Sequence, residues 1–193
     1  MSTSLAAVLD RAFGHPRGLL GRLGGGMMAR GNAATEHHVV GVAGLTGTET
    51  VLVVGPGPGV GLAAAAARAA VVIGVDPSAA MLDACRQRCG DEVTLRRGTA
   101  EHTGLADDSV DVVLSVNNVQ LWDDREAGFA ELRRVLRPGG RLVLSAHEKW
   151  LPLPRHELAD EVAAAGFTDL QTWVWDPPGF GASRAAQLRA VSC

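Results

Sequence analysis

One stretch constrains this chain more than any other: Val51-Leu-Val-Val-Gly55-Pro-Gly57-Pro-Gly59-Val-Gly61. Four apolar residues run straight into a turn with glycine at every second position, and an alanine-rich segment, Leu62 to Ala70, follows at once. A buried strand, a tight turn and a helix account for that order. Glycine lets the backbone turn sharply and approach a ligand closely, while the start of the helix offers unpaired N–H groups. Asp76 ends the next β-branched run, Val71 to Val75, about twenty residues further on, where a carboxylate can accept hydrogen bonds from both hydroxyls of a ribose. Turn and carboxylate together predict a nucleoside-bearing cofactor lying across the carboxyl ends of the first strands. The alternative is a purely structural turn, which leaves Asp76 a coincidence.

The remainder of the chain alternates in the same way. A helix is expected from Ser78 to Arg88, strands at Val93 to Arg96 and Val110 to Ser115, and a helix from Arg125 to Leu136 stopped by Pro138-Gly139-Gly140. A strand at Arg141 to Ser145, a helix from His156 to Ala165, and strands at Leu170 to Trp175 and about Ala186 to Val191 follow. The predicted fold class is α/β: a doubly wound, mostly parallel seven-stranded sheet covered on both faces. Residues 4 to 45 read instead as helices broken by glycine, the last from about Ala33 to Leu45. One domain over 1–193 is expected, with 1–45 as a helical cap and 46–193 as the cofactor-binding core.

The glycine register separates two cofactor classes. Gly55, Gly57 and Gly59 give G-x-G-x-G, whereas a dinucleotide register needs glycine or alanine at 60, which is Val60. A shifted match, Gly59-x-Gly61-x-x-Ala64, begins four residues past the strand and keeps a nicotinamide-dependent oxidoreductase as the rival.

From Glu49 to Ala165 the chain resembles the class I S-adenosylmethionine-dependent methyltransferases, in particular the ubiquinone and menaquinone biosynthesis group. The resemblance rests on ordered motifs: the turn at 53–59, Gly74-Val-Asp-Pro-Ser78 with Met81, Gly98-Thr-Ala-Glu101, Asp107 to Ser115, and Glu131 to Gly140. It implies a Rossmann-like methyltransferase fold that binds S-adenosyl-L-methionine and releases S-adenosyl-L-homocysteine. It further implies that Gly55, Pro56, Gly57 and Gly59 pass under the methionine part, that Asp76 holds the ribose, and that Pro77 and Met81 pack on adenine. Thr99, Ala100 and Glu101 would form the far wall; family members carry an aspartate where this chain has Thr99, which makes Glu101 the alternative acceptor for the adenine amino group. Ser115, Val116 and Asn117 would lie beside the cofactor's amino-acid end.

For the acceptor, Met28, Asn118, Gln120, Trp122 and His147 are the expected binding residues, with Met27 and Asn32 on the same lid and Phe13 and Trp150 as further apolar walls. A sulfonium carries its own leaving group, so the protein has to align acceptor, methyl and sulfur and exclude water. A general base is optional. His147, at the end of the fifth strand, is the candidate because imidazole titrates near neutrality; Glu148, His37 and His38 are weaker ones, and His102 is expected near the adenine edge. The implied acceptor is a small lipophilic or aromatic molecule, with a non-catalytic cofactor-binding protein and a peptide methyltransferase as rivals.

A net charge of -3 provides no basic footprint, so no nucleic acid is implied as a partner. Cys85 and Cys89, four apart, are read as packing thiols rather than a zinc half-site, no metal is expected, and Cys193 is terminal. No stretch has the charge-free length of a membrane span and the start lacks a secretion signal, so stable membrane insertion is not expected and a cytoplasmic location is. Arg11, Arg17, Arg22 and Arg30 give the cap a basic face, read first as solvated. A homodimer is compatible with all of this.

Overall fold

A computed structural model describes residues 32–178 and 183–193. Within them a helix at 32–43 (α1) is followed by β1 (Thr50–Val54), α2 (Val60–Ala66), β2 (Val71–Asp76), α3 (Ala79–Cys89), β3 (Thr94–Arg97) and β4 (Val110–Val116). Then come α4 (Arg125–Val135), β5 (Leu136–His147), α5 (Arg155–Ala164), β6 (Phe167–Trp175) and β7 (Ala185–Ser192). The seven strands form one sheet in the order β3-β2-β1-β4-β5-β7-β6. All neighbours pair in parallel except β7, which is antiparallel to both β5 and β6.

Side chains alternate across each strand, so the continuous apolar runs of the central strands fill two cores at once. Val51 and Val53 of β1 join Val39, Val40 and Ala43 of α1, Leu62 of α2 and Cys85 of α3. Leu52 and Val54 face the opposite way, onto Phe129 and Leu132 of α4 and Leu158 and Val162 of α5. A register shift between Val110 and Val112 switches β4 from one core to the other: Val110 packs with α4, Val112 with α1.

Local chemistry sets the ends of the elements. The Ser78 hydroxyl caps α3 and the Asp124 carboxylate caps α4, each accepting a backbone N–H three residues on. Arg141 of β5 closes the other end of α1 by donating to the carbonyls of Ala43 at 2.6 Å and Gly44 at 3.2 Å. That guanidinium also reaches Glu49, whose carboxylate accepts from the N–H groups of Thr46, Gly47 and Thr48. No helix among the described residues is long and apolar enough to cross a membrane.

Candidate active site

The strand order reverses between β1 and β4, and doubly wound sheets open a crevice at the carboxyl ends of such a pair. A cavity lies there, bounded below by Val53 and Val54 of β1, Val75 and Asp76 of β2, and Leu114 and Val116 of β4. Of the sequence-predicted cofactor residues, Gly55, Pro56, Gly57, Asp76, Pro77, Met81, Thr99, Ala100, Glu101, Val116 and Asn117 line it. So do Asn32, Asn118 and Trp122 from the predicted acceptor side.

The turn after β1 requires its glycines for different reasons. Gly57 has φ +53° and open space where a Cβ would stand, whereas Gly59, at φ +84°, would press a Cβ to 3.2 Å from the Cα and sulfur of Cys85. Gly59 therefore belongs to the packing of the turn on α3 and stands off the cavity wall. That helix holds the turn through three successive carbonyls. Cys85 Sγ donates to Gly57 O at 3.1 Å, Arg88 Nε to Pro58 O at 2.8 Å, and Cys89 Sγ lies 3.9 Å from Gly59 O. Burial pushes the Cys85 thiol up to about 12 and raises Cys89 as well, which makes both of them inert packing thiols. Among the described residues no group of three or more His, Cys, Asp or Glu side chains is arranged to hold a metal ion.

Asp76 is buried at the end of β2, with one carboxylate oxygen accepting the Ser78 N–H at 2.8 Å. Ala100 is buried beside it; Thr99 is exposed and forms a tight reciprocal turn with the His102 backbone. Glu101 accepts the Asp124 N–H at 3.3 Å.

Beyond β4 the polar residues are largely committed to the scaffold. Asn118 Nδ2 donates to Val54 O at 2.7 Å, while its Oδ1 accepts from Ser115 Oγ at 2.8 Å and Trp122 Nε1 at 2.9 Å. A Cβ at Gly55 would meet that same amide at 2.7 Å. Ser115 is fully buried and Gln120 donates to Asn117 O at 2.9 Å, so neither lines the cavity. Asn117 has φ +55°, a conformation that asparagine tolerates, and its Oδ1 accepts the His147 N–H at 3.0 Å. The Trp122 ring lies over Gly128 of α4, where a Cβ would meet it at 2.6 Å, and is edge-on to Phe129.

His147 is placed differently from its sequence expectation. Its ring lies behind Asn32, with Nε2 3.1 Å from Asn32 Oδ1, off the cavity wall, and burial lowers its pKa. His38 stacks flat on Trp175 at 4.1 Å, while His37 and His102 are exposed. Glu148 lies 3.8 Å from Arg184, and Trp150 is exposed beside Lys149. Met27, Met28 and Phe13, with the cap arginines, lie outside the described residues.

A family model described as a methyltransferase domain matches residues 52–144, which span the turn, Asp76 and most of β5. Along 159 residues the chain is 31% identical to the uncharacterized methyltransferase YdaC of Bacillus subtilis (strain 168), covering 77% of this chain and 87% of that one. The chain belongs to the class I S-adenosylmethionine-dependent methyltransferases. It is also 39% identical over 77 residues to the demethylmenaquinone methyltransferase of Lactiplantibacillus plantarum, a match covering 37% of this methyltransferase and 32% of that protein. It thus spans about a third of the length of several curated relatives that it matches. The phospholethanolamine N-methyltransferase 2 of Haemonchus contortus, solved with phosphomonomethylethanolamine and S-adenosylhomocysteine, has the same fold at TM-score 0.77 and 17% identity, covering 99% of this chain and 60% of that one.

Sequence reasoning missed one prominent wall residue of this methyltransferase. Glu36 of α1 is buried, lines the cavity beside Asn32, Val39 and Val40, and accepts the N–H of Gly61 in the first turn of α2. Burial raises its pKa to about 7, against the Gly61 hydrogen bond and the charge of Arg88, which lower it. A lone acid in an otherwise ordinary helix carries no motif that would have singled it out.

Proposed function

We propose that this methyltransferase binds S-adenosylmethionine in the cavity above β1, β2 and β4 and transfers its methyl group to a small acceptor with an apolar or aromatic body. The observation that carries this reading is continuity: a single cavity joins the Gly55–Gly57 turn, the buried Asp76 carboxylate and the Met81–Ala100–Glu101 wall. Those residues fit the cofactor in chemistry and order. Gly55 and Gly57 would pass under its methionine part, Asp76 would accept from the ribose hydroxyls, Pro77 and Met81 would cover an adenine face, and Thr99, Ala100 and Glu101 would close its far edge. When bound, the cofactor supplies a methyl group on a sulfonium, whose departure as a neutral thioether needs no acid.

What remains for the chain is alignment and the exclusion of water. Val116, Leu121 and Trp122 give the acceptor side an apolar wall, and Asn118 holds the Trp122 indole in place. Leu121, which lines the cavity, is 46% exposed, which supports an entry for a lipophilic molecule. We assign His147 to orienting Asn32 rather than to proton transfer, so the acceptor would arrive as a nucleophile that needs no protein base.

Isothermal titration with S-adenosylhomocysteine tests the cofactor half. Asp76→Ala should weaken binding by at least ~100-fold, since two hydrogen bonds to a charged acceptor are lost. Undiminished affinity in that variant would refute the assignment. Transfer of a radiolabelled methyl group into the organic-soluble rather than the aqueous fraction of a metabolite extract tests the acceptor half.

A further inference from the structure

Among the described residues the buried acids are Glu36, Glu49 and Asp76. Glu49 is satisfied by Arg141 and the 46–48 backbone, and Asp76 belongs to the ribose position. Glu36 differs in that its hydrogen-bond donor is a single backbone N–H, that of Gly61, and no described cation forms an ion pair with it. A buried carboxyl with no cation in contact, only the charge of Arg88 nearby, is costly, and a residue shaped like its neighbours Val39 and Val40 would pack at that wall at lower cost. Its position explains its retention. Asn32 and Glu36 of α1 line the cavity with Gly57 and Gly61, which follow β1 and the latter of which binds Glu36, whereas Met81 follows β2 and Ala100 follows β3, on the far side of Asp76 in the strand order β3-β2-β1-β4.

If adenine lies at the Met81 end and the ribose at Asp76, the group that reaches Glu36 is the amino-acid end of the cofactor. We propose that the Glu36 carboxylate is the receptor for the α-ammonium group of the cofactor's methionine moiety. The inference rests on the cofactor reading above and adds a charge to it. The ligand brings a cation into contact, and the Gly61 N–H holds the carboxylate in place to meet it.

The groups around Glu36 set how this pairing responds to pH. From α3 come Arg88, turned to Pro58 O, and the Cys85 thiol, which burial keeps neutral. From β2 comes Asp76, from α2 the Gly61 N–H, and from β5 His147, which reaches α1 at Asn32. In the free protein burial leaves Glu36 part-protonated near pH 7, and an ammonium beside it favours the ionised form. Binding of the amino-acid end should therefore release a proton from the carboxyl to solvent.

Titration calorimetry at pH 7 in two buffers of different ionisation enthalpy tests this, with S-adenosylhomocysteine and methylthioadenosine as probes. The second probe keeps adenosine and sulfur but lacks the amino-acid end. The wild type should release about half a proton per S-adenosylhomocysteine bound and none per methylthioadenosine. Glu36→Gln should lose on the order of 10- to 100-fold in affinity for S-adenosylhomocysteine, with methylthioadenosine unchanged and proton release abolished. Equal proton release for the two probes in the wild type overturns the proposal, and needs no variant to fold. So does a Glu36→Gln protein that loses both probes in parallel or neither. A wild type that binds neither probe overturns the cofactor reading itself, whereas binding that depends on Asp76 but not on Glu36 overturns this inference alone.

Discussion

Glu131 of α4 lies outside the cavity, yet it is the clamp on the loop that forms the cavity's far wall. Its Oε1 accepts from Thr103 N at 2.9 Å, Thr103 Oγ at 2.6 Å and Arg134 Nη2 at 2.9 Å, and its Oε2 accepts from Arg134 Nε at 2.8 Å. Burial alone would push this carboxyl up, but the Arg134 and Thr103 donors outweigh it and hold it at about 2, below its ordinary 4.5. A depressed folded-state value means stability that is complete above about 4.5 and lost as the pH falls through about 2. That gap corresponds to about 3 kcal/mol as an upper bound, and because the Arg134 side chain is 37% exposed, solvent screening reduces it to about 2 kcal/mol. Glu131→Gln removes the charge and turns an amide N–H towards donors, so it should cost about 2 kcal/mol at pH 7. Urea unfolding followed by circular dichroism measures this, and the gap to wild type should shrink by more than half by pH 3. A gap that stays constant from pH 7 to pH 3, or one under ~0.5 kcal/mol at pH 7, would refute the reasoning. Because Thr103 continues the Thr99–Glu101 wall, the same variant should bind S-adenosylhomocysteine more weakly while still folded.

Gly57 and Gly59, two of the three left-handed glycines of the turn, should part company on substitution. Gly57→Ala should cost about 1 kcal/mol in thermal unfolding but abolish S-adenosylhomocysteine binding, because its new methyl group enters open cavity space. Gly59→Ala should cost about 2–4 kcal/mol, since a Cβ there meets the Cys85 backbone as well as the same unfavourable φ. Equal stability losses would show that the turn does not pack on α3 as described. Asn118→Ala strands the buried Ser115 hydroxyl and the Trp122 indole N–H together, and chemical denaturation should register about 2–4 kcal/mol.

The pattern of strands and helices was legible because each central strand is a short β-branched run bounded by glycine, proline or acid, as Val71 to Asp76 is. Its boundaries were less so. The helix expected from Leu62 to Ala70 runs instead from Val60 to Ala66, because alanine continues in sequence with no stop signal where the backbone already turns. The strand expected from Arg141 begins at Leu136, since Leu136 pairs with Val110 before the chain loops through Pro138-Gly139-Gly140 and resumes pairing at Arg141 with Val112. Only the partner strand reveals that bulge, and a single sequence carries no signal for it. The extension of β6 back to Phe167 has the same cause, a register shift beside Asp169 at φ +50°.

In the site, legibility divided along the same physical line. Residues whose place on the cavity wall follows from backbone conformation or strand position, such as Gly55, Gly57 and Asp76, could be read because turn chemistry is local. Those whose role depends on what faces them could not. His147 ends a strand at the right edge of the sheet, yet Asn32, 115 residues away in sequence, lies between its ring and the cavity. Ser115 and Asn118 carry polar atoms at the expected place, and those atoms are consumed in tying β4 to β1 and to Trp122. Glu36 inverts the case: the sequence placed it in the last helix of the cap with no role, and only the packing of α1 on the sheet brings it onto Gly61. A polar side chain near a site is available to a ligand only to the extent that the scaffold has left it unspent, and by that measure Glu36 on the cavity wall is open to a ligand where His147, turned to Asn32, is not.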